Sequence, residues 1–186
     1  MIIVLSKYLR KNKKQLPKNT YNETEFWKKF IPDLRNANNE VIIFSPYISN
    51  KRTETLLDEF MSLLSRNVKL LIYFRPENKL KPDEKELLIN LKYKGALIFM
   101  RRKFHYKFVI IDRKLTWEGS MNILQHINSE ERMTRHDDIE YTKKQIVCQE
   151  KLTTRQRKAL LTGPGNQQKE KTLDRHSHSF TFCFSP

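Results

Sequence analysis

Apolar residues in this chain fall into two kinds of run. Some are short and continuous: Val41–Ser45, Val68–Phe74, Ala96–Met100 and residues 104–111. Runs of this length, rich in β-branched and aromatic types, predict strands buried on both faces of a sheet. Others recur at helical spacing. Leu56, Leu57, Phe60, Leu63 and Leu64 do so between Asn50 and Arg66. Thr20-x-x-Glu23 reads as a capping box, predicting a helix to about Ala37 that buries Phe26, Trp27, Phe30, Ile31 and Leu34, with Pro32 marking a kink or break. Pro82 suits the first turn of a third helix, with Asp83 and Glu84 beside it, Leu87, Leu88 and Leu91 facing inward, and Gly95 as its stop. Ile123-Leu124 predict a short helix and Asp138–Val147 one more strand. Helices alternating with strands predict an α/β fold, a mixed, largely parallel sheet sandwiched by helices. Such sheets bind ligands at the carboxyl ends of their strands. Ser45-Pro46-Tyr47 and Arg75, just past two strand ends, are therefore candidate rim residues, although ordinary turn residues would look the same.

Composition narrows the partners. The chain has 186 residues, 36 Lys+Arg against 21 Asp+Glu, and a formal net charge of +15. The excess is spread along the sequence, which favours a polyanion: nucleic acid or an anionic membrane surface. No run approaches the ~18–20 apolar residues of a membrane span. Met1–Leu5 is too short for a signal core, and its positive charges follow it. The two cysteines, Cys148 and Cys183, exclude a disulfide framework and a cysteine-rich zinc site. The setting expected is reducing and cytoplasmic. Residues 1–21 are a basic arm, 22–147 the folded unit, and 148–186 a basic, weakly patterned tail expected to be poorly ordered. His176-x-His178 in that tail reads as solvated.

The chemistry concentrates in His105-Tyr-Lys107-Phe-Val-Ile-Ile-Asp112, followed by Gly119-Ser120-Met-Asn122. Alternate residues of a strand share a face, so His105 and Lys107 stand side by side. A nucleophile or base beside a fixed cation is what attack on a phosphate needs. The pattern resembles the phospholipase D superfamily signature, H-x-K-x4-D-x6-G-S-x-N, with every specified position filled. Residues 40–49, 117–124 and 129–133 resemble the first strand and loop, the motif-closing turn and a carboxylate-bearing segment of its compact single-motif members. The Trp117-Glu-Gly-Ser turn is similar to that of the helicase-linked modules.

That resemblance implies a mechanism. His105 attacks phosphorus and forms a phosphohistidine, which water hydrolyses, while a second histidine protonates the leaving oxygen and later activates the water. Lys107 and Asn122 bind non-bridging oxygens, Ser120 adds a hydroxyl donor, and Gly119 allows close backbone approach. Asp112 organises the site. Glu131, with Glu130 as the alternative, holds one nitrogen of His105. Tyr47 and Arg75 are the rim residues expected to meet substrate. Positive side chains carry the charge work, so no cofactor or metal is called for. His126 and His136 lack a lysine at the right spacing, so the second histidine must come from another copy, implying a homodimer. The leading function is a metal-independent nuclease, with DNA ahead of RNA. The alternatives are a nucleic-acid-binding module awaiting a helicase or ATPase partner, and a lipid phosphodiesterase.

Overall fold

The continuous apolar runs become the centre of a seven-stranded sheet. A computed structural model of the chain describes residues 18–75, 80–125 and 129–149. The residues at 7–17 of the basic arm, His126, and the tail from residue 150 lie outside them. The strands are β1 (Thr20–Asn22), β2 (Glu40–Phe44), β3 (Lys69–Phe74), β4 (Leu97–Met100), β5 (Lys107–Ile111), β6 (Leu115–Gly119) and β7 (Arg132–His136). The helices are α1 (Glu23–Arg35), α2 (Asn50–Glu54), α3 (Leu57–Ser65), α4 (Pro82–Tyr93) and α5 (139–149).

The sheet order is β1-β7-β6-β5-β2-β3-β4. It is mixed, as the patterning predicts, but its parallel part is confined to β2, β3 and β4. Every other pairing is antiparallel. The predicted parallel character therefore holds for the β2–β4 half alone; β5 and β6 join through a tight turn that only antiparallel neighbours can use.

One face carries the main core. Phe26, Phe30 and Leu34 of α1, Phe60 and Leu63 of α3, and Leu88 and Leu91 of α4 pack on Val41, Ile43, Leu70, Ile72, Val109 and Trp117. Each large side chain so buried contributes about 1.5–3 kcal/mol, and truncating the fully buried Phe30 to Ala would cost about 3–5 kcal/mol. The opposite face carries Phe44, Phe104, Phe108 and Ile110, with Tyr73, Tyr106 and Ile146 of α5 against them. Phe44 stacks on Tyr73 at 4.3 Å, and Tyr73 on Phe99 at 4.8 Å. Helices thus lie on both faces.

Five local expectations change. Thr20 is not a helix cap. It lies in β1 and bonds the Thr134 hydroxyl at 2.9 Å, while Asn22 Oδ1 caps α1 by accepting from Glu25 N at 2.9 Å. Pro32 neither breaks nor ends α1, which runs past it to Arg35. The helix expected over 50–66 is two pieces, α2 and α3. Ile123 and Leu124 form a buried turn rather than a helix. Finally, the stretch read as a strand, Asp138–Val147, is helical from 139: Asp138 Oδ1 caps it by accepting from Glu140 N at 2.8 Å and Tyr141 N at 3.1 Å. Its inward residues at helical spacing include polar ones, Thr142 and Gln149, which hid the period.

Candidate active site

The parallel strands β2 and β3 end where antiparallel β5 begins and β6 closes. Phe44 pairs with Phe108, and Lys107 with Gly119. This rim opens into a cleft of about 680 Å³ lined by Tyr47, His105, Tyr106, Lys107, Gly119, Ser120, Asn122, Gln125 and Glu131. That volume falls in the roughly 300–1,000 Å³ range of small-ligand sites.

His105 lies just before β5 and is exposed, while Lys107, its first residue, is buried. The adjacency expected of alternate residues holds: Lys107 Nζ is 3.4 Å from His105 Nε2 and donates to the His105 carbonyl at 2.9 Å. Burial pushes the Lys107 ammonium below its ordinary pKa, and the nearby charge of Glu131 opposes that shift. The lysine is thus a cation with few partners, poised to gain from an anion. Asn122 is also buried, and its Oδ1 has no hydrogen-bond partner. A buried polar atom left unsatisfied costs about 1–3 kcal/mol; as an acceptor Oδ1 calls for a donor, and it is the carboxamide N–H groups that can serve an anionic oxygen.

Ser120 and Glu131 form a tight pair. Ser120 Oγ donates to Glu131 Oε2 at short range and accepts from Arg132 N at 3.0 Å. Ser129 Oγ donates to Glu131 Oε1 at 2.8 Å. Glu131 therefore sits in the cleft as expected, but its partners are serines rather than a His105 nitrogen, because β7 begins beside the end of β6 and sets the carboxylate against Ser120. Glu130 is exposed and does not line the cleft. Gly119 is required by a different neighbour from the one anticipated: a Cβ there would lie 2.0 Å from the Arg132 carbonyl oxygen. The close approach is of β7, not of substrate.

Asp112 is displaced from the site altogether. It follows the far end of β5, roughly 16 Å of strand from Lys107, in the turn to β6, where both Asp112 (φ 52°) and Arg113 (φ 56°) are left-handed. Positive φ at both central positions is the geometry that tight hairpins favour, and Asp tolerates it. Its carboxylate accepts from the backbone of Asn38 (2.9 Å), Asn39 (2.7 Å) and Glu40 (3.0 Å). Burial would raise its pKa, but these three donors outweigh burial and hold it below the ordinary carboxylate range. Asp112 fixes the start of β2 and has no contact with the cleft.

Tyr47 reaches the cleft, and Arg75 Cζ lies 6.0 Å from the Tyr47 ring centroid. Ser45 is fully buried: its Oγ donates to Tyr47 O at 2.8 Å and accepts from Leu124 N at 3.2 Å, so it ties the β2 loop to the turn after Asn122. His136 belongs elsewhere, stacked on Tyr141 at 4.0 Å beside Glu118. The Tyr141 hydroxyl is pushed up to about 12 by burial and by its hydrogen bond to Glu118. Sequence reasoning missed Tyr106 and Gln125. Strand alternation assigns Tyr106 to the other face, and it does pack there while also bordering the cleft. Gln125 carries no signal of its own. Among the described residues, no group of three or more His, Cys, Asp or Glu side chains is placed to share a metal ion, and no helix is long and apolar enough to cross a membrane.

Residues 30–138 match the family model described as cardiolipin synthase, PLD-like domain, over more than half of the chain. No curated protein sequence matches. Among solved structures, NucT from Helicobacter pylori is similar over 73% of this chain and 94% of its own, with TM-score 0.61 and 18% identity. Nuc from Salmonella typhimurium, a phospholipase D family member, is similar over 68% of this chain and 87% of its own, with TM-score 0.56 and 12% identity. TrmBL2, an archaeal chromatin protein with a novel mode of DNA binding, is similar over 84% of this chain and 59% of its own, with TM-score 0.52 and 16% identity. At such identities the structural likenesses speak for the fold. With the family model spanning the cleft and the sheet that carries it, the chain belongs to the phospholipase D-like superfamily of phosphodiesterases.

Proposed function

We propose that the protein is a nuclease, hydrolysing phosphodiesters of nucleic acid through His105. The observation that carries this reading is the His105 Nε2–Lys107 Nζ pair at 3.4 Å in an open cleft that also holds buried Asn122. Nε2 attacks phosphorus, forming an N–P bond as the P–O bond to the leaving strand breaks. A second imidazole gives that oxygen a proton. Water then attacks phosphorus, passes its proton to the same imidazole, and the N–P bond breaks. Lys107 and the Asn122 carboxamide hold the non-bridging oxygens, whose charge shifts during both steps. The cleft holds a single His-x-Lys pair, so the second imidazole is His105 of a second copy, brought in by two-fold pairing. Glu131, through Ser120, anchors the cleft wall and offsets part of the Lys107 charge.

Nucleic acid is the substrate class that suits a net charge of +15, since each neutralised phosphate releases counterions. DNA stands ahead of RNA. The likeness to TrmBL2, a protein whose DNA binding is reported, is in keeping with a second reading in which the chain binds DNA; in that reading chemistry would wait on a helicase or ATPase partner.

The test incubates the parent and His105→Ala with single- and double-stranded DNA and RNA, and with cardiolipin vesicles, in excess chelator. Cleavage of a polynucleotide by the parent alone supports the proposal. Retained salt-sensitive binding without cleavage supports the binding module, and turnover of lipid alone overturns both. Light scattering during size-exclusion chromatography reads the dimer directly.

A further inference from the structure

Tyr47 has no part in the phosphate chemistry, yet it lines the same cleft as His105, Lys107 and Asn122. A tyrosine that merely filled space would be buried like its neighbours. Ser45, Pro46 and Ile48 around it are buried, while Tyr47 stays half-exposed. Its backbone is held firmly. The buried Ser45 hydroxyl donates to the Tyr47 carbonyl at 2.8 Å and receives Leu124 N at 3.2 Å, so the loop is fastened to the turn that carries Asn122. Arg75 N donates to the Pro46 carbonyl at 3.1 Å, and the Arg75 guanidinium lies 6.0 Å from the ring centroid, at the outer reach of a cation–π contact. The result is a flat aromatic surface, preset next to the phosphate-binding groups, with a cation alongside.

Such a surface loses little freedom on binding a second flat group. In a polynucleotide, the flat groups next to any phosphate are its two flanking bases. Resting on the nucleic-acid reading above, we infer that Tyr47 is a base-stacking residue that positions the nucleotide beside the scissile phosphate. A paired base has both faces covered by its neighbours and must be pulled out of the stack, at a cost of a few kcal/mol, before it can lie on Tyr47. The platform therefore selects unpaired strands, loops and frayed ends over intact duplex. Stacking is indifferent to base identity, so the selection is for strand state and not for sequence.

The test uses the full chain and single-stranded oligonucleotides in which one cleavable phosphodiester sits among methylphosphonates. An abasic nucleotide is placed on either side of that phosphate. For the parent, removing the base on one side should lower kcat/KM by roughly 5- to 150-fold. Tyr47→Phe should keep that discrimination, because the ring face is intact. Tyr47→Leu should reduce it to within about two-fold. Equal cleavage of base-bearing and abasic strands by the parent overturns the inference and leaves the nuclease reading standing. So does Tyr47→Phe behaving like Tyr47→Leu, which would point to a hydroxyl contact. A parent that cuts no polynucleotide overturns the nucleic-acid reading, and the inference with it.

Discussion

The two ends of β5 derive from one short motif and are built for opposite ends. At Lys107 the strand opens into a cleft with a desolvated ammonium, an exposed imidazole and a buried carboxamide oxygen that lacks a partner. At Asp112 every carboxylate lone pair in use meets a backbone donor, in a turn tightened by Lys114 N donating to Ile111 O at 3.0 Å. The first end leaves interactions unmade. The second is complete as it stands. A motif that is read as one catalytic unit is therefore a reactive end and a structural anchor, joined by the buried strand residues 108–111.

The contrast predicts that substitutions at one end cost activity and at the other cost stability. The largest effect should come from His105→Ala, which removes the nucleophile: cleavage should fall on the order of 10⁴-fold or more, with the melting temperature moving by about 2 °C or less, since His105 is exposed. Lys107→Met should cost at least roughly 100-fold in cleavage and leave thermal stability unchanged or raised. Its depressed pKa means that the charged form is disfavoured in the folded state, an unfavourable contribution that operates while the lysine is protonated and fades as pH rises through its folded pKa. A clear loss of stability in Lys107→Met would break the comparison.

Gly119 sharpens it, because it stands at the active end and yet serves packing. Gly119→Ala would drive a methyl into the Arg132 carbonyl and pry β6 from β7, at a cost of about 3 kcal/mol, with the melting temperature falling by roughly 10 °C. Asp112→Ala comes next, at about 2 kcal/mol, because three backbone donors lose their acceptor; its cleavage rate per folded molecule should stay near the parent's. The smallest effect is in acid. Asp112 has a folded pKa below its unfolded value of about 3.9, so its contribution is intact above that value and is lost as pH falls through the folded pKa. Below about pH 4 the parent should lose stability more steeply than Asp112→Asn as the pH falls, as read by denaturant titration at each pH.

Much of the fold was legible in the sequence, for identifiable reasons, while the division along β5 was not. The strand β5 shows as a continuous apolar run because both of its faces are covered, whereas β4 keeps its apolar run at the sheet edge with Leu97 exposed. The His105–Lys107 adjacency follows from the two-residue period, even though the strand begins only at Lys107. The short β1 has three residues and no apolar run to announce it. α5 presents polar groups inward while Ile139 and Val147 remain exposed, which inverts the usual signal. Asp112 could be assigned to the site by spacing, but not distinguished as a turn residue, because distance along β5 separates it from the cleft only once the register is known. Glu131 lines the cleft with Ser120 as its partner, a pairing that depends on how β7 abuts β6 and that spacing along the chain does not reveal.

The way α5 is fastened bears on how the molecule breathes. Thr116 and Thr142 share a buried hydroxyl contact at 2.8 Å, Arg101 Nη1 donates to Gln149 Oε1 at 3.0 Å, and Tyr141 reaches Glu118 at 2.5 Å. These are groups that water can satisfy almost as well. Lifting the helix would expose far less hydrocarbon than lifting α1, so α5 should open by local fluctuation long before the body unfolds, and its amides should exchange with deuterium first among the long helices. Each opening would bare Arg101 and the back of Tyr106, the residue that divides the His105–Lys107 pair, so transient motion of one surface helix reaches the floor of the cleft from behind.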